Sequence, residues 1–208
     1  MKLVVTKLKK IATRKVRSAG LNWRELNQNA KQIIVFGSYA LSSNNKKSDL
    51  DILCIGDGKS YKDAKLHVIW IPEQRTRSKK WIGSELATHV AVYGVWIKGE
   101  NDWAYQVRPS RSAIARKRRN ILARLNAIER RWDNLLPKFQ RGQIIKMRRD
   151  LQRYQMMSLG QAPVPKTLLD IEWQRRKKTD RWADLLRKRS VVTNRIRKLL
   201  DVLRISNA

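Results

Sequence analysis

The sequence predicts an α+β fold: a mixed sheet flanked by helices over residues 1–108, followed by a basic, all-helical extension over residues 109–208. Three observations carry that prediction. Residues 33–36, 49–55 and 66–71 are short apolar runs bounded by Gly, Asp or Pro, the pattern of strands buried on both faces. Beyond Pro109 apolar residues recur instead at intervals of three and four, the period of helices. The basic residues also thicken there, with 19 Lys and Arg against 8 Asp and Glu in residues 1–100 and 28 against 9 in residues 101–208.

Taken in order, Leu8, Ile11, Ala12 and Val16 lay an apolar stripe along a helix from Val5 to Arg17, which Ser18-Ala19-Gly20 ends. A second short helix is expected from Asn22 to Lys31. Ile33-Ile34-Val35-Phe36 then reads as a strand closed by Gly37-Ser38, Asp49 to Ile55 as the next strand, and Gly56-Asp57-Gly58 as a turn. Leu66 to Ile71 is a third strand, stopped by Pro72, which cannot donate to a ladder. Between Trp81 and Gly99 a helix is expected, broken at Gly94 ahead of Val95-Trp96-Ile97. In the extension, one stripe runs through Leu122, Leu125, Ile128, Trp132, Leu135 and Leu136. A second takes Ile144, Ile145, Met147, Leu151, Tyr154 and Met157, and a third runs from Trp182 to Leu203. Pro137, Gly160 and Pro163-Val164-Pro165 punctuate them, so three or four packed helices with basic outer faces follow.

A formal charge of +30 on 208 residues is far beyond the about eight charges typical of a small soluble domain. Such a surface repels itself unless a polyanion shares the space. Nucleic acid is the expected partner, RNA before DNA. It would be held through phosphates rather than bases on Arg116-Lys117-Arg118-Arg119, Arg148-Arg149 and Arg175-Arg176-Lys177-Lys178. Trp132, Trp173 and Trp182 either stack on bases or pack as core. Cys54, inside an apolar run, reads as a reduced and buried thiol. No apolar stretch approaches the ~20 residues that span a bilayer, so no membrane role is expected. Residues 1–24 hold eight Lys and Arg and no acid, the composition of an amphipathic organellar presequence, but are read as an ordinary first helix. The expected location is the cytoplasm, or an organellar matrix.

The chemistry concentrates in Gly37-Ser38, ten residues, then Asp49-Leu50-Asp51. Gly37 and Ser38 close a strand and are expected to open a helix, where backbone N–H groups and the Ser38 hydroxyl face a triphosphate at close range. Two residues apart on a strand, Asp49 and Asp51 share a face and can share divalent ions, while Leu50 and Ile52 point into the core. Paired carboxylates suit Mg²⁺ or Mn²⁺, hard cations that bridge to substrate phosphates.

This spacing resembles the minimal nucleotidyltransferases of the DNA polymerase β superfamily. The resemblance continues through Leu66 to Ile71, Pro72-Glu73 and Gly83-Ser84-Glu85-Leu86-Ala87 to Tyr93-Gly94 and Gly99, covering about residues 30–100. It implies a nucleotidyltransferase-fold sheet and metal-dependent transfer of a nucleoside monophosphate from an NTP to a hydroxyl, with release of pyrophosphate. Asp49 and Asp51 would hold the metal, and Gly37 and Ser38 the nucleotide. The acceptor would be an RNA end or, as for small antitoxin members of the superfamily, a protein side chain. Where the family carries a third carboxylate this chain has His67, which alternation places with Ile69 and Ile71 on one strand face. His67 is then a working base, a Mn²⁺ ligand, or a satisfied strand histidine. Asp63 and Glu73 would replace the missing carboxylate only if the strand were misaligned by several residues. The competing function is a degenerate nucleotidyltransferase fold acting as a structural RNA- or DNA-binding component. Modification of aminoglycosides, themselves polycations, is disfavoured by repulsion.

Overall fold

Alternation along the apolar runs sends successive side chains to opposite faces of a sheet, and both faces are covered. In a computed structural model, which describes residues 2–46, 48–131, 134, 137–166, 168, 169, 194 and 198, the strands form a five-stranded sheet in the order β3-β4-β2-β1-β5. These are β1 (Ala30–Phe36), β2 (Leu50–Gly56), β3 (Tyr61–Lys62), β4 (Leu66–Ile71) and β5 (Val95–Lys98). The β2–β4 pair is parallel and the other pairs are antiparallel, so the sheet is mixed and the fold is α+β. The described residues fall into two compact units, divided between Arg108 and Pro109.

One face of the sheet, formed by Ile33, Val35, Leu50, Ile52, Cys54, Leu66 and Val68, is packed by α1 (Lys2–Ser18) through Leu8, Ala12 and Val16, and by α2 (Trp23–Asn29) through Leu26. The stripe on α1 is the one the sequence predicts. Gly20, at φ +74°, follows the helix in the left-handed region where glycine is at no disadvantage. Asn22 caps α2 by accepting from the backbone N–H groups of Arg24 and Glu25. Burial pushes the Cys54 thiol up to about 12, so no thiolate forms there at neutral pH.

The other face, Ile34, Phe36, Leu53, Ile55 and Ile71, lies under Trp81, Ala87, Val90, Trp103 and Val107. Three short helices stand here, α3 (Glu73–Thr76), α4 (Lys79–Ile82) and α5 (Glu85–Tyr93), and the helix expected from Trp81 is the end of α4 and the whole of α5. Ser78 and Ser84 start the last two, each accepting from a backbone N–H with its side chain. Gln32 is buried in this unit, donating to Asp102 at 2.6 Å and accepting from the Trp103 indole at 2.9 Å.

In the second unit, α6 (Arg111–Arg131) and α7 (Pro137–Ser158) pack through Ile121, Leu125 and Ile128 against Met147, Leu151 and Tyr154. Ile121 rather than Leu122 leads the first stripe; the second is as predicted except that Ile145 is only half-buried. Trp132, Leu135, Leu136 and the third stripe lie outside the described residues.

Candidate active site

The site is a row of side chains crossing one face of the sheet. Phe36 on β1 pairs with Asp51 on β2, Asp51 with His67 on β4, and His67 with Lys62 on β3. Residues directly opposite on neighbouring strands share a face, so strand register alone brings an aromatic, a carboxylate, an imidazole and an ammonium together. Asp51 and His67 meet: the imidazole Nδ1 is 3.3 Å from the carboxylate Oδ1, and their side chains are 22 % and 28 % exposed. Asp49 stands one residue before β2 and is half-buried.

Gly37 presses on this carboxylate. It takes φ +72°, and a Cβ there would lie 2.5 Å from Asp51 Oδ2, so any side chain would be both strained and in collision. The expectation that Gly37-Ser38 opens a helix is corrected: residues 37–42 are turns. The chain folds back at once, with the Ser43 N–H donating to the Ser38 carbonyl at 2.9 Å, the Ser42 N–H to the Tyr39 carbonyl at 3.2 Å, and Ser42 itself at φ +53°. The close approach that the glycine permits is therefore a turn over a carboxylate rather than a helix N-terminus.

Burial, then the neighbouring Asp49 charge, pushes Asp51 up to about 6, against the opposing pull of His67 and Lys62. A carboxylate destabilised in this way gains from a bound cation. Two carboxylates fit one divalent ion that takes its remaining ligands from phosphate and water. Among the described residues no three His, Cys, Asp or Glu side chains are grouped to hold a metal. Neither alternative acid supplies the third: Asp63 accepts from the Lys65 and Leu66 N–H groups and from the Tyr61 hydroxyl, and Glu73 pairs with Lys31.

Lys62 is absent from the sequence reading, because a two-residue strand has no periodicity to betray it. His89 on α5 was also missed; its ring meets Phe36 edge-on at 6.2 Å and lies 5.4 Å from Tyr93. The i, i+4 spacing of His89 and Tyr93 was the available signal.

The basic candidates divide. Arg116 and Arg119 are exposed, and Arg118, Arg148 and Arg149 are half-buried. Lys117 is a correction: its ammonium is buried and donates to Asp150 Oδ1 at 2.8 Å, while Arg124 binds the other oxygen. It falls on the inward face of α6, so its charge is matched within the protein. Arg175, Arg176, Lys177 and Lys178 lie outside the described residues.

The Gly37 turn thus lies over the Asp51 carboxylate, with Asp49 beside it. Residues 21–122 match the family model described as a nucleotidyltransferase domain, in keeping with the resemblance of the Gly37-Ser38 and Asp49-Leu50-Asp51 spacing to the DNA polymerase β superfamily. Among solved structures, it is similar to a nucleotidyltransferase-like protein from Exiguobacterium sibiricum 255-15, at 12 % identity and TM-score 0.47, over 96 % of this chain and 77 % of that one. A chain in a structure described as a toxin-antitoxin with AMP-PNP matches at 18 % identity and TM-score 0.27, over 50 % of this chain and 90 % of that one. No curated protein matches the sequence. Among the described residues, no helix is long and apolar enough to cross a membrane.

Proposed function

We propose that the protein transfers a nucleoside monophosphate from an NTP to a hydroxyl acceptor, an RNA end or a protein side chain, with the Asp51 carboxylate under Gly37 as the observation that carries the reading. Asp49 and Asp51 would hold Mg²⁺ or Mn²⁺, which when bound neutralises charge on the triphosphate. Gly37 and Ser38 let the backbone lie close to the nucleotide, and the Lys62 ammonium adds positive charge at the same row. With Nδ1 turned to Asp51 Oδ1, the imidazole of His67 would leave Nε2 to take the acceptor's proton, less effectively than a carboxylate that also holds a metal on the attacking oxygen. The acceptor oxygen then bonds to the α-phosphorus, the bond from that phosphorus to the bridging oxygen breaks, and pyrophosphate leaves. Positioning and charge stabilisation supply most of the acceleration, as in phosphoryl transfer generally. The test is incubation of purified protein with each labelled NTP, Mg²⁺ or Mn²⁺, and total RNA. Label on RNA or on protein identifies the acceptor, and absence of label with every nucleotide refutes the reading.

His67 in place of a third carboxylate favours a second reading, a nucleotidyltransferase fold that has lost catalysis and serves as a nucleic-acid-binding component. A neutral imidazole brings no negative charge to a metal and is a poor ligand for Mg²⁺. Binding of NTP or RNA without label transfer would support that reading.

A further inference from the structure

The sequence locates its candidate phosphate contacts in the second half of the chain, yet α1 carries the most one-sided charge pattern in the first unit. Lys2–Ser18 contains Lys2, Lys7, Lys9, Lys10, Arg14, Lys15 and Arg17 and no acidic residue. Its inward stripe of Leu8, Ala12 and Val16 is 4 %, 0 % and 0 % exposed against the sheet. The opposite side presents Lys10, Arg14 and Arg17 at i, i+4 and i+7, with Lys9 in the adjoining row. These four cations are exposed and line an open concavity of about 620 Å³ along the helix.

We propose that this outward face of α1 is a binding surface for the phosphate backbone of single-stranded RNA. The proposal rests on the nucleic-acid part of the reading above and adds a site on the unit that carries Gly37 and Asp51. Among the described residues, no acidic side chain forms a salt bridge with Lys9, Lys10, Arg14 or Arg17, so their charge is not matched locally as that of Lys117 is. The hydroxyls between them are committed to the helix, Thr13 donating to the Lys9 carbonyl and Ser18 to the Arg14 carbonyl, both at 2.9 Å. Recognition is therefore by charge, which suits phosphates spaced along a strand and reads no bases. An anionic membrane fits less well. A helix lying on a bilayer needs a free apolar face, and the apolar face of α1 is spent on the sheet, leaving Leu3 and Val4 exposed at its first turn. Lys15 stacks over the Tyr39 ring at 5.7 Å, anchoring the same helix to the turn that carries Gly37 and Ser38.

The experiment compares three full-length proteins: wild type, Lys10→Gln/Arg14→Gln/Arg17→Gln on α1, and Arg116→Gln/Arg119→Gln on α6. Binding of a fluorescent single-stranded RNA, and of a DNA of the same sequence, is followed by anisotropy across a salt series. Thermal melting shows that the variants fold, and co-sedimentation with vesicles of phosphatidylserine and phosphatidylcholine tests the membrane alternative. The α1 variant is expected to bind RNA at least about tenfold more weakly near 0.1 M salt and to lose about two from the slope of log K against log salt, at ~0.7 per phosphate on a single strand. Unchanged affinity and slope in the α1 variant, with or without a loss in the α6 variant, would overturn this surface and leave the partner reading intact. Wild type that binds vesicles but neither oligonucleotide would overturn both.

Discussion

Asp51 and Asp150 are both mostly buried carboxylates, at 22 % and 17 % exposure, and their surroundings are opposite. Asp150 has a cation on each oxygen, Lys117 and Arg124. Asp51 has another carboxylate beside it and a single long contact to His67, and burial, then that carboxylate, raises its pKa against the pull of His67. Removing a charge from water costs several kcal/mol unless partners repay it. The protein repays that cost at Asp150 with its own side chains and leaves it largely unpaid at Asp51. The first is a structural clamp between α6 and α7; the second is a carboxylate whose charge the described side chains do not match, the pattern that marks a candidate functional site.

The comparison breaks first on turnover. Asp51→Asn is expected to lower label transfer from NTP by at least about 10³-fold, since losing several kcal/mol of charge stabilisation costs a factor of ten per 1.36 kcal/mol. Asp150→Asn should leave the specific activity of the folded protein unchanged, and a matching loss in both variants would erase the distinction. On stability the order reverses. Asp150→Ala strands Lys117 and Arg124 and should cost about 3–5 kcal/mol in urea unfolding; a cost below about 1 kcal/mol would show the clamp to be idle.

Asp51→Asn should instead stabilise the metal-free protein near pH 7.5, by on the order of 2 kcal/mol after allowance for partial exposure. The sign follows from the raised pKa. Between about pH 4 and about 6 the folded state holds a proton that the unfolded chain has released, so this contribution to stability is complete below the unfolded value of 3.8 and is lost as pH rises through about 6. Melting measured from pH 4 to 8 in wild type and Asp51→Asn checks it, and parallel curves would show that burial at Asp51 is relieved by water. The smallest effect is expected at His67. Activity of wild type with Mg²⁺ should be weak, and His67→Asp should raise it about tenfold by restoring a negative ligand, a gain of ~1.4 kcal/mol. Strong Mg²⁺ turnover in wild type, lost in Asp51→Asn and not improved in His67→Asp, would establish a two-carboxylate enzyme with imidazole as its base.

Much of the architecture was legible because apolar periodicity is a local signal. The run Leu66 to Ile71 is β4 residue for residue, and the Ile144 to Met157 stripe lies on α7. The ends of elements were less legible: the helix predicted from Trp81 is divided between α4 and α5 because Ser84 caps a new start, and the helix expected at Gly37-Ser38 is a turn. Side-chain caps and a positive φ compete with helix over a few residues, and periodicity does not register them.

The sequence by itself determined the motif, the strands that carry it, and the place of His67 on the same strand face as Ile69 and Ile71, because spacing along one strand fixes the face of every residue. It also determined the excess of positive charge. Only the tertiary structure decided which cations face outward and which are consumed internally, as with Lys117 on Asp150 and the outward Lys10, Arg14 and Arg17 of α1. Only the pairing of strands put Phe36, Asp51, His67 and Lys62 in one row. Register between strands is set by packing on both sheet faces at once, and a charge is matched or exposed according to what folds against it, so neither property belongs to any short stretch of chain.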